Sequence, residues 1–284
     1  MQSRLGAACA AAALAAITAA GAAGCSSGGS SSSAMRVNAA QELAATLKNA
    51  QQIKTYTASM SIQVSGIPGA GSSGGFSVAG SIKGQRQPTA LAEFDASSFQ
   101  MMGTDLGSMT EIVTPKAFYV KAPMMTAALH KQWIELPFSE LKGNGAALSQ
   151  LISQAQSSDP LSDAQLMAGA KNVRAVGTGT VDGVSVTELE GSEPVNAALA
   201  KLPASTRASL GQEMKQLGVG QVQFRVWVDG QHNVRKMIVK EVGSSLNETI
   251  SMTVTSINQP VSMSLPPTSQ VSTIPASALS GAGM

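Results

Sequence analysis

His130, in "ALHKQW", and His232, in "DGQHN", are the two imidazoles of this 284-residue chain. A general base or a metal ligand needs a partner group within reach. Neither histidine has a sequence-near acid or a second ligand at a metal spacing, so both read as solvated surface residues. Ser73, in "GSSGG" (71–75), matches a G-x-S-x-G pattern. A nucleophile elbow sits between a strand and a following helix; here a strand follows in a Gly/Ser run, which is the setting of a hairpin loop. "GTGTVDG" (177–183) has its third glycine misplaced for a dinucleotide turn, and no helix follows it. The carboxylates are scattered singly, with no close apolar pair to set an acid against a base. The expectation is a non-enzyme with no catalytic residue, cofactor or metal. The chemistry that remains is a thiol: Cys25 stands where an Ala/Gly run gives way to a Ser/Gly run.

What precedes Cys25 has the layout of an export signal. Arg4 is the only charge before it, residues 5–23 are uncharged and mostly Ala, and small residues end the run. Leu5, Leu14 and Ile17 are its only large aliphatics, too few for the roughly 20 strongly apolar residues of a membrane span. Ala22-Ala23-Gly24-Cys25 resembles a bacterial lipobox, with Ala22 where Leu is usual. That resemblance implies a diacylglyceryl thioether on Cys25, cleavage before it, and a protein exported and lipid-anchored to the outer face of the cell membrane. A plain signal cut that leaves Cys25 as a free thiol is the alternative, and a reactive one. Residues 1–24 then form the signal peptide and 25–37 the tether. The tether's "SSGGSSSSA" (26–34) reads as a coil of roughly 15–20 Å reach.

After cleavage Cys9 is lost, so neither an intrachain disulfide nor a cysteine metal cluster can form. Removing Arg4 leaves 18 basic against 17 acidic residues, a net charge of +1. A near-neutral chain without basic runs lacks the electrostatic footprint of a nucleic-acid binder.

The elements that follow are short. "VNAAQELAATLKNAQQIKTY" reads as a helix capped by Asn38, with Ala39, Leu43, Leu47, Ala50 and Ile53 on one face. At Tyr56 the period becomes two: Tyr56, Ala58, Met60, Ile62 and Val64 alternate with Thr57, Ser59, Ser61 and Gln63. Further strands are expected at "FSVAGSIKG", "TALAEFDA", "MTEIVT", "AFYVKA" and "KQWIEL", punctuated by Pro88, Pro115 and Pro123. "GAALSQLISQAQSS" and "DPLSDAQLMAGA" read as helices. Asp182-Gly183 between Val181 and Val184 is a type I′ hairpin signal. A helical stretch from Glu193 precedes a second hairpin, "QVQFRVWV"–"DGQHN"–"VRKMIVKEV", and "ETISMTVTSI" closes the set. About eleven strands with one wet and one dry face suit an antiparallel sheet whose dry face needs cover. The expected fold is α+β: one domain, residues 38–271, in which a strongly curved antiparallel sheet, a half-open barrel, wraps around helices. Residues 272–284 read as a flexible tail.

With no catalytic cluster, binding is the better class. The dry-face residues Met60, Ile62, Val64, Phe76, Val78, Ile82, Phe94, Phe118, Phe224, Val226, Ile250, Met252 and Val254 are candidates to line an apolar cavity. Met101, Met102, Met124 and Met125, paired near predicted strand ends, are candidates for its mouth, since Met makes an adaptable apolar surface.

The lipobox, the Ser/Gly tether, a helix running into a long strand, the hairpin "FRVWVDGQHNVRKMIV" and a closing strand before "PPTSQV" together resemble the actinobacterial LppX/LprG-type envelope lipoproteins, similar in fold to the LolA carriers. The resemblance spans about Ala39 to Val271. It implies an apolar cavity that binds or carries lipid or lipidated glycan in the cell envelope, with the membrane and the lipid as partners; of the site residues it transfers only the anchor, Cys25. The rival reading is a lipid-anchored surface module, sensory, adhesive or for assembly, with a filled core and no cargo.

Overall fold

The computed structural model describes residues 31–66, 74–123, 130–141, 172–200, 218–243 and 247–273, together with Met167, Ala170, Arg207 and Gly211. Twelve strands form one sheet: β1 (Thr55–Ser65), β2 (Gly75–Gln85), β3 (Leu91–Met101), β4 (Thr104–Val113), β5 (Ala117–Lys121), β6 (Trp133–Pro137), β7 (Arg174–Val181), β8 (Val184–Pro194), β9 (Gln221–Asp229), β10 (Val234–Val242), β11 (Asn247–Ile257) and β12 (Val271–Thr273). The order across it is β12-β6-β5-β4-β3-β2-β1-β11-β10-β9-β8-β7, so the sheet has two edges and is not closed. Three helices are described: α1 (Ser31–Ala50), α2 (Phe138–Leu141) and α3 (Val195–Leu199).

The sheet is curved, and its curvature has local causes. Register slips between Thr57 and Ala58, Ala79 and Gly80, Ala96 and Phe99, Ala175 and Gly177, and Val234 and Lys236. Each such bulge bends its strand and adds right-handed twist. Two inner-face glycines let aromatics lie flat on the neighbouring strand. A Cβ on Gly84 would stand 2.2 Å from the Tyr56 ring, and one on Gly191 2.4 Å from the Phe224 ring.

The alternation read from the sequence gives the sheet its inner face. On β1, Tyr56, Ala58, Ile62 and Val64 are buried, and Ser59 and Gln63 are exposed. The predicted helix face is also buried: Ala39, Leu43, Leu47, Ala50 and Ile53 are each at most 5% exposed. This face of α1 joins Tyr56, Leu189, Phe224, Val226 and Met252 in one apolar cluster. Sheet and helix therefore form two layers here. A sheet wrapped around helices is not what the described residues show: helix–sheet packing is seen at α1 and at the short α3, whose Val195, Ala198 and Leu199 are buried in the same cluster.

Three boundaries differ from expectation. α1 starts at Ser31, inside the span read as coil, so Asn38 lies within the helix and does not cap it. The described residues make twelve strands, because Val271–Thr273 adds itself parallel to β6, with Val271 opposite Trp133. That segment includes the first residues of the expected flexible tail. The two central helical stretches read between residues 145 and 170 fall outside the described residues, apart from Met167 and Ala170.

Candidate functional site

Asp182 (φ 48°) and Gly183 (φ 78°) form the expected I′ turn between β7 and β8. The turn between β9 and β10 is built around Asp229, whose Oδ1 accepts N–H bonds from Gln231 and Asn233, both at 2.9 Å, and whose Oδ2 accepts from Arg235 Nε at 2.7 Å. Burial alone would raise the Asp229 pKa; these bonds to the charged form outweigh it and hold the carboxyl below its usual value.

This turn seats α1. Asn49 Nδ2 donates to the carbonyls of Gln231 and His232, each at 3.2 Å, and to Asn233 Oδ1 at 2.8 Å. His232 Nδ1 lies 2.7 Å from Glu42 Oε1. On the other side Arg86, just past β2, donates from Nη1 to the Ala50 carbonyl. The helix end is thus pinned between the β2 exit and the β9–β10 turn. His232 is a structural contact to an acid 190 residues away in sequence, and His130 sits exposed at φ 51°.

Pinned this way, α1 leaves an open groove of about 330 Å³ along its flank. One wall is Ala40, Leu43, Ala44 and Leu47; the other is Met167, Ala170 and Val173; Lys48 and Gln51 stand at one end. Ala40 and Ala44 are exposed although apolar. A second depression of about 660 Å³ opens on the opposite side of the sheet. Its lining includes Ser59, Ser61, Ser81, Asp95, Ser97, Ser108, Thr110, Ser251 and Thr253. It carries hydroxyls beside the apolar Met60, Ala79 and Ala96, whereas the described residues lining the groove include no hydroxyl side chain.

All thirteen candidate cavity residues share the inner face, as the ladder Ile82–Phe94 and Ala58–Val254, Met60–Met252, Ile62–Ile250 requires. Twelve of them belong to or pack against two clusters. Ile82, Phe224, Val226, Met252 and Val254 belong to the cluster under α1. Ile62, Val64, Phe76 and Val78 form a second with Ala96, against which Met60, Phe94 and Ile250 pack from partial burial. Phe118 is half-buried on β5. None of the thirteen lines the groove; Met60 alone borders the hydroxyl-lined trough. Met101 packs against the second cluster. Met102, at φ 50° in the β3–β4 turn, is 38% exposed. Cys25, Ser73, Met124 and Met125 lie outside the described residues.

The sequence reading missed carboxyls on the inner face. Glu193, Glu241 and Glu248 are all buried. Glu241 and Glu248 face each other across β10–β11. Burial, and then the facing Glu241 charge, push the Glu248 carboxyl up to about 9, and burial pushes Glu111 on β4 up to about 7. Strict alternation was the available signal: Glu241 continues Met237 and Val239, and Glu248 continues Met252 and Ile250. Among the described residues no group of three His, Cys, Asp or Glu could hold a metal ion, and no helix is long and apolar enough to cross a membrane.

No protein-family model matches the sequence, and no curated protein matches it. The structure is similar to the crystal structure of LprF from Mycobacterium bovis, at 13% identity and a TM-score of 0.49, covering 81% of this chain and 97% of that one. It is similar to the Mycobacterium tuberculosis lipoprotein LppX at 17% identity and a TM-score of 0.45, covering 80% and 99%. A LolA-superfamily protein from Nitrosomonas europaea is also similar, at 10% identity and a TM-score of 0.28, covering 80% and 95%.

Proposed function

We propose that this chain is an exported, non-enzymatic envelope lipoprotein that binds and carries lipid, moored to the outer face of the cell membrane by a diacylated Cys25. The observation that carries the reading is the open apolar groove along α1. In this depression of ligand size Ala40 and Ala44 expose methyls over the buried Leu43 and Leu47, and each CH₂ of an acyl chain buried there is worth about 0.8 kcal/mol. Because twelve of the thirteen inner-face residues belong to or pack against two apolar clusters, the contact surface in this reading moves from the sheet to the helix flank. Ile82, Phe224, Val226, Met252 and Val254 then form the floor under α1, and Met102, exposed in the β3–β4 turn, does not line the groove. Two acyl chains on Cys25 would give stable anchoring where one is marginal.

The test uses the full chain with Cys25→Ser, purified without detergent and extracted with organic solvent. Mass spectrometry of the extract is expected to show acyl lipids in near-stoichiometric amount. An empty extract favours the anchored module without cargo. Intact-mass analysis of the native protein checks the anchor, with an unmodified amino terminus excluding it.

A further inference from the structure

We propose that the groove along α1 takes a single-chain anionic amphiphile, its chain along Ala40 and Ala44 over the buried Leu43 and Leu47, and its carboxylate or other single-charge head at Lys48. This rests on the lipid-binding reading and narrows it to a ligand class. Among the described residues that line the groove, Lys48 carries the only charge, and it stands at one end beside Gln51. Lys48 is exposed, and no carboxylate among the described residues lies within ion-pair distance of it. The one acid on its own helix that pairs, Glu42, is turned to His232. Lys48 also lies in the last turn of α1, where a cation complements the helix dipole. That fixes the positive charge at the helix end and so gives the groove a direction. The volume, about 330 Å³, is at the small end of ligand sites and suits one chain rather than two.

The experiment is a set of calorimetric titrations of the full chain carrying Cys25→Ser, after delipidation, with decanoate, decanol and decylammonium. These share a chain and differ in head charge. Decanoate is expected to bind about fivefold tighter than decanol and more strongly still than decylammonium, the span of an exposed ion pair. The preference should shrink in 1 M salt, where the screening length is about 3 Å. Lys48→Gln, a neutral swap at an exposed helical site, should bring decanoate to the level of decanol and leave decanol unchanged. Lys48→Glu should turn the order round and favour decylammonium. If all three ligands bind alike, or the Lys48 variants leave the order as it is, the head-group assignment falls while the lipid reading stands. If none binds, both fall.

Discussion

Glu248 on β11 and Glu190 on β8 are glutamates of the same sheet, turned to opposite faces, and their surroundings treat the same group in opposite ways. Glu248 is 5% exposed, and its Oε1 has no hydrogen-bond partner. The inner face keeps it protonated by making ionisation expensive. Glu190 sits on the outer face between Arg174, at 3.0 Å, and Arg225, at 3.3 Å, in contact with water. The two depressions repeat the contrast. The groove, on the helix-covered side, is lined by apolar side chains with Lys48 and Gln51 at one end; the trough on the other side is twice the volume and mixes serines and threonines with Met60, Ala79 and Ala96. Hydroxyls must be stripped of water to meet a methylene, whereas methyls gain by losing theirs.

The largest expected break in this comparison is Glu248→Gln against Glu190→Gln. The folded chain holds the Glu248 proton up to about 9, far above its ordinary 4.5. The associated stability is therefore fully present below 4.5 and is lost as pH rises toward 9, at about 1.4 kcal/mol per unit of displacement. Thermal melts of Glu248→Gln should lose that downward slope between pH 7 and 9, Glu111 keeping its own below about 7, and exceed the parent at pH 8. Glu190→Gln should leave the slope in place. Asp229 has the opposite sign, since its lowered pKa gives stability above its ordinary 3.8 that is lost only as pH falls through the folded value.

A smaller effect separates the two depressions. Ala44→Trp fills the groove from an exposed helix position, and Ser81→Trp fills the trough from β2. Decanoate affinity should drop about tenfold in the first, or about 1.4 kcal/mol, and change less than twofold in the second. A loss in the trough variant alone would assign the lipid to the hydroxyl-lined side.

How much of this was legible beforehand follows from range. Period-two alternation grouped Tyr56, Ala58, Met60, Ile62 and Val64, and Ile250, Met252 and Val254, on one face of their strands, as the ladder has them, and period 3.6 found the buried stripe of α1, because both are local patterns repeated over several residues. Asp182-Gly183 was legible because two positive φ values select those residues. The α1 start was not, since a Ser run carries no stop signal sharp enough to exclude helix. β12 was not, since three residues pairing in parallel with a strand 138 positions earlier leave no local pattern. The groove was hidden for the same reason: its walls are α1 and a segment more than 110 residues further along. The facing carboxyls Glu241 and Glu248 were written in the alternation and passed over because each stands singly in sequence.

The smallest effect belongs to the outer face. Arg225 reaches Glu188 and Glu190, both at 3.3 Å, and its side chain is 55% exposed. Water screens such pairs, and ordering two long side chains costs much of what the attraction returns. Arg225→Gln should lower stability by no more than about 0.5 kcal/mol, read as a shift of the denaturation midpoint at unchanged slope. Its neighbour along the strand, Val226, is 1% exposed on the inner face opposite Leu189, so the strand keeps its register without the charge. A loss of several kcal/mol from Arg225→Gln would mean that the outer charges hold β8 and β9 together. The division of labour between an inner face that stabilises and an outer face that is merely solvated would then have to be redrawn.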